Sequence, residues 1–200
     1  MARSRYLASA IGRAFVGWML CLLVGNAQAQ TTQAPETSTT DTPSPPPVTV
    51  LAGGASALTE THGDWAVNCQ VVANTKVCSF LHQQFDQSNN QRLLAIELSS
   101  RTGEEATGTI ALPFGLELAA GITLSVEDKP AQTKMPFKTC FAVGCLVPVN
   151  WDKSFVDRLK ANKALKITAV AADTQQPVNF TVSLRGFSSA IARAAALIKE

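Results

Sequence analysis

Only two histidines, His62 and His82, and a single tyrosine occur in the 200 residues. A hydrolytic site built on a histidine base would have to use one of those two side chains. No Gly-x-Ser-x-Gly nucleophile elbow is present. Gly115, Gly121 and Gly144 lack the spacing of a phosphate loop and read as turns and bulges. No Cys-x-x-Cys occurs, so a dithiol at a helix start is not indicated. Cys-x8-Cys and Cys-x4-Cys are poor zinc spacings, and neither a metal nor a cofactor is expected. A surplus of basic charge is also missing. Arg3, Arg5 and Arg13 precede the first apolar run; taking those three from 17 Lys and Arg leaves 14 against 15 Asp and Glu. That balance gives no electrostatic reason to expect nucleic acid as a partner.

What is present begins with export. The three arginines are followed by an apolar run of 12 residues, Ala14 to Gly25, and then by Ala27-Gln28-Ala29. A spanning helix needs about 20 apolar residues. The shorter run with a small-x-small site reads as a signal peptide cut after Ala29. Cys21 would leave with it. Residues 30–59 form a Pro-, Thr- and Ser-rich leader that carries half of the ten prolines. It cannot bury enough apolar surface to offset its ordering entropy, so a disordered tether is expected. The folded domain is placed at 60–200.

Along that domain, apolar and polar residues alternate with the period of half-buried strands. The runs are Trp65–Val72, Val77–Gln84, Leu93–Ser99, Thr107–Leu112, Ile122–Val126, Leu146–Val149, Leu165–Ala171 and Val178–Leu184. Asp128-Lys129-Pro130 reads as a turn. Trp151, Phe155 and Leu159 recur every four residues, as on one face of a short helix. A second, C-terminal helix is expected after Phe187, with Ser188 as its cap. The fold class is therefore all-β, an antiparallel sandwich or partly open barrel, with two short helices.

After signal removal Cys69, Cys78, Cys140 and Cys145 remain. Export and an even count imply disulfides. Three connectivities exist; Cys69–Cys78 and Cys140–Cys145 are favoured because each pair sits across a predicted turn. His62 beside Asp64 reads as a solvated polar pair, and so do the carboxylates Glu117, Glu127 and Asp128. The alternative is a periplasmic hydrolase or thiol oxidoreductase using His62/Asp64 or a cysteine pair. Trp65, Phe114, Phe137 and Phe141 read as core residues rather than as an exposed patch.

The string Leu112-Pro-Phe-Gly-Leu-x-Leu-x-x-Gly-Ile-x-Leu, followed by Pro136-Phe-x-x-Cys-x-x-x-Gly-Cys145, resembles the invasion-associated locus B family of bacterial envelope proteins. Gly63-Asp-Trp-x-Val-x-Cys69 and Pro177-Val-x-Phe-x-Val-Ser-Leu-x-Gly-Phe187 resemble its opening and closing strands. The resemblance implies an exported, non-enzymatic protein of a Gram-negative envelope, in the periplasm or outer envelope, linked to virulence. Its role would be host-cell invasion or envelope integrity. It carries over no catalytic residue. The expected partner is a protein or envelope component, with peripheral membrane association and no small-molecule substrate.

Overall fold

Period-2 alternation turns into strands wherever one face can be buried, and those faces meet in one core. The computed structural model describes residues 49–126 and 129–199. The expected signal peptide and most of the leader lie outside the described residues, as do Glu127 and Asp128. The elements are β1 (Ala57–His62), β2 (Trp65–Val72), β3 (Thr75–Phe85), β4 (Arg92–Ser99), β5 (Ala106–Leu112), β6 (Ile122–Val126), β7 (Lys129–Met135), β8 (Thr139–Phe141), β9 (Gly144–Trp151), α1 (Lys153–Ala161), β10 (Ala164–Val170), β11 (Pro177–Ser183) and α2 (Phe187–Lys199).

Seven strands form one sheet in the order β1-β2-β3-β4-β5-β9-β8, and four form a second in the order β11-β10-β6-β7. Every pairing between them is antiparallel. Trp65, Val67, Phe80, Leu94, Ile96, Ile110 and Val147 line the inner face of the larger sheet, and Ile122, Leu124, Leu165 and Ile167 that of the smaller. α2 lies against β1, β2 and β3, and buries Phe187, Ala190, Ile191, Ala194 and Leu197. Its small alanines let the helix approach closely. Burying a side chain the size of Phe187 stabilises by about 1.5–3 kcal/mol.

Three strands differ from expectation. β1 begins at Ala57, inside the stretch assigned to the leader; it is a half-exposed edge strand whose residues carry little apolar signal. β7 starts at Lys129, which pairs with Val126, so Lys129 and Pro130 are corrected from turn to strand. Its Pro130 is tolerated because β7 is the outermost strand of its sheet. β8 has only three residues, too few for an alternation to register. Trp151 belongs to β9 rather than to the helix. Asp152 caps α1 by accepting from the Phe155 amide at 2.8 Å, and Trp151 packs on Phe155 with ring centroids 5.2 Å apart. Ser188 is not a cap, since α2 already starts at the buried Phe187.

Candidate functional site

The residues named for a catalytic alternative turn out to join the two ends of the domain. The turn at Gly63-Asp64 meets the turn at Arg185-Gly186. The Asp64 amide donates to the Arg185 carbonyl at 2.9 Å. Gly63 and Gly186 have φ of +60° and +91°. A Cβ on Gly63 would lie 2.6 Å from the Arg185 oxygen, and one on Gly186 would overlap the His62 carbonyl. Only glycine allows both the conformation and the approach. The Asp64 carboxylate accepts from the Arg185 guanidinium and, at 2.6 Å, from Ser183 Oγ. The Arg185 bonds, then that of Ser183, hold its carboxyl down to about 2. Trp65 Nε1 donates to the Ser183 carbonyl at 2.9 Å, and its ring meets Phe187 edge-on at 5.1 Å. One turn further, Glu60 accepts from Arg193 of α2 at 2.9 Å, which with His62 lowers its carboxyl below the usual range.

His62 is therefore corrected from a partner of Asp64 to a partner of Glu60, at 3.2 Å. The wiring near Asp64 is also not that of a triad. His82 is buried, and its Nδ1 faces the Asp64 carbonyl at 2.7 Å. A carbonyl can only accept, so the ring proton sits on Nδ1. Nε2 then accepts from Gln84 Nε2, 3.1 Å away, which also donates to the Thr181 carbonyl. Both ring nitrogens are engaged, and the Ser183 hydroxyl proton points to Asp64 rather than to a base. Among the described residues, no nucleophile, base and orienting acid converge at His62, Asp64 or His82.

The cysteines pair as favoured. Cys69 and Cys78 face each other across β2 and β3, with Cα atoms 4.1 Å apart. Cys140 and Cys145 close the β8–β9 hairpin, with Cα atoms 3.9 Å apart. Neither pair sits at a helix start, where a dipole would activate a thiol. At the second pair the backbone comes close again: Gly144 has φ of +120°, and a Cβ there would overlap the Leu112 carbonyl. The two halves of the Leu-Pro-Phe-Gly…Gly-Cys string thus touch at the β5–β9 pairing of Leu112 with Cys145.

The outer face of the larger sheet carries an extended hollow. Ala95, Thr109 and Ala111 make a floor of small side chains on β4 and β5, and Leu81, Gln83, Leu146 and Val143 stand higher beside it, enclosing a cavity of about 330 Å³. A second cavity of about 290 Å³ adjoins it, bounded by Leu93, Phe114 and Val143. Arg92, Ala111 and Val143 line both, so the two are one groove. Arg92 reaches this face through a β-bulge. Gln84 pairs with Leu94 but Phe85 pairs with Arg92, which skips Leu93 and reverses the alternation. Its guanidinium donates to the Val143 carbonyl at 2.5 Å. Around the groove Leu93, Phe114, Phe141 and Val143 are 37%, 63%, 59% and 52% exposed. Phe114 and Phe141 are thus corrected from core to surface, whereas Trp65 is buried and Phe137 packs against the core. Both exposed rings lie in or beside connecting turns, where alternation says nothing about facing. Arg92 has no sequence signal either, since an ordinary strand would have pointed it inward.

A family model described as "Invasion associated locus B (IalB) protein" matches residues 65–195. A protein of Brucella abortus named as an Invasion protein B homolog is 40% identical over 149 residues, covering 74% of this chain and 86% of its own. Invasion protein B of Bartonella bacilliformis is 36% identical over 156 residues, covering 77% of this chain and 83% of its own. The crystal structure of invasion associated protein B from Bartonella henselae superimposes with a TM-score of 0.66 at 33% identity, over 71% of this chain and 97% of that one. The matched range and the identities over most of each chain show that the chain belongs to the invasion associated locus B family.

Proposed function

We propose that this chain is an exported protein of a Gram-negative envelope that works by binding rather than by catalysis. The observation that carries the reading is the groove on the outer sheet face: small-residue floor, apolar rim, one guanidinium and no converging acid, base and nucleophile among its lining residues. A rigid sheet held by two disulfides suits recognition, because little ordering entropy remains to be lost on binding. Relatives named for invasion favour a role in contact with host cells, and envelope integrity is the second role consistent with the same groove. The signal-like N-terminus supports delivery to the periplasm or outer envelope.

The test is chemical crosslinking in intact cells followed by capture of the chain, compared with Ala111→Arg, which fills the groove floor. The expected result is an envelope partner captured by the parent and lost with the variant, at unchanged thermal stability. A partner captured equally by both would overturn the groove. Fractionation that finds the chain in the cytoplasm would overturn the export.

A further inference from the structure

We infer that the free edge of β1 pairs antiparallel with the same edge of a second copy of this chain, joining the two larger sheets into one. The inference does not depend on the groove. The two sheets have four outermost strands, and three of them are blunted. β8 has only three residues. β7 carries Pro130 and shifts register twice against β6. On β11 the Thr181 and Ser183 carbonyls already accept from Gln84 Nε2 and Trp65 Nε1. β1 has none of these devices. Its six residues, Ala-Leu-Thr-Glu-Thr-His, include no proline and no lysine, and they pair with β2 without a shift. An edge left so regular is a template for another strand.

The edge is complementary to itself. The Val71 amide donates to the Ser56 carbonyl, which fixes the phase of the β1–β2 ladder. Leu58, Glu60 and His62 therefore bond to β2, and the amides and carbonyls of Ala57, Thr59 and Thr61 point away from it. With Thr59 of one copy opposite Thr59 of the other, and Ala57 opposite Thr61, every one of those groups finds a partner about a two-fold axis. Centring the pair on Glu60 instead would leave Ala57 unmatched and set two carboxylates side by side. Charge is the second argument for an identical partner, because like copies repel wherever their contact surface is charged. Ala57, Thr59 and Thr61 are exposed and uncharged, and their cross-strand neighbours Gln70, Asn68 and Ala66 are uncharged too. On the opposite face the Glu60 carboxylate already accepts from Arg193. Room is available as well: α2 lies chiefly over β2 and β3 rather than β1, which keeps the two helices apart across the seam. The chain's own leader is a poorer occupant, since Pro43, Pro45, Pro46 and Pro47 stand next to the domain and cannot donate to a ladder. The axis is perpendicular to the joined sheet, so both grooves open on one side.

The test is sedimentation equilibrium of the chain recovered from cells that express it. The parent is expected to dimerise. Thr59→Lys places two ammonium groups across the axis and should weaken the dimer by about tenfold or more, at an unchanged circular dichroism spectrum. Thr181→Lys, on the β11 edge, and Ala111→Arg, in the groove floor, should dimerise like the parent. In the parent alone, the amides of Ala57, Thr59 and Thr61 should exchange more slowly as the concentration rises, while those of β8 stay unchanged. A monomeric parent, equal dimerisation by the parent and Thr59→Lys, or exchange at those three amides that ignores concentration would each overturn the inference. If the parent is monomeric and Thr59→Lys loses a protein captured by crosslinking, the edge takes a strand from that protein: this inference falls. Loss of a captured partner with Ala111→Arg alone bears on the groove and leaves the dimer standing.

Discussion

Asp64 accepts hydrogen bonds from Arg185 and Ser183, and both favour its charged form. The sign follows directly. A carboxyl whose folded value is about 2, below its ordinary 3.8, contributes stability above pH 4 or so and loses it as the pH falls towards 2. Asp64→Asn should therefore flatten the acid side of the stability profile, measured as urea midpoints between about pH 5 and pH 2. A steep acid limb retained in the variant would place the titrating group elsewhere. The two tryptophans offer a second comparison. Trp65 Nε1 has the Ser183 carbonyl, whereas the buried Trp151 Nε1 has no partner among the described residues. Trp65→Phe orphans an acceptor and Trp151→Phe relieves a donor, so the first should cost about 1–3 kcal/mol more in denaturant titrations. At this scale the sequence was legible in its motifs and illegible in their partners. Gly63-Asp-Trp stands out in the chain, but nothing local says that it meets Ser183, Arg185 and Gly186. Arg92 was hidden for a different reason: a one-residue bulge inverted the face on which alternation would have put it.

Elements with one clean buried face were readable, the edge strand β11 among them, and three other edge strands were not. β6 and β10 announce themselves because Ile122, Leu124, Leu165 and Ile167 all point to the core. β1, β7 and β8 sit at sheet edges, where pairing on one side suffices and sequence constraint is weak. The β8–β9 hairpin depends on its covalent closure more than longer strands would. In the chain-entropy model a ring of this size stabilises by about 2 kcal/mol. C140A/C145A should lower global stability by about that amount. Amide exchange should accelerate first at Thr139–Phe141, ahead of β4 and β5. Uniform acceleration across the larger sheet would show instead that the ring supports the whole layer. C69A/C78A removes two buried core atoms as well as a ring, so its penalty should be larger.

Among the described residues, the sandwich is closed by contacts of β1, β2 and the turn between them with α2 and the turn before it. Glu60 reaches Arg193, Asp64 reaches Arg185, and Phe187 covers Trp65 and Phe80. A chain ending at Ser183 would lose all three and uncover the α2 side of β2 and β3. Such a truncation should show no cooperative thermal transition, measured by near-ultraviolet circular dichroism; a sharp transition near that of the parent would mean that the sandwich folds without its last helix. The closure also bears on timing. Synthesis delivers Trp65 more than a hundred residues before the groups that seal it, so the opening strands must wait, uncovered, for the carboxyl terminus. A polypeptide that cannot finish folding until its final turn emerges remains threadable through a narrow translocation pore for most of its synthesis.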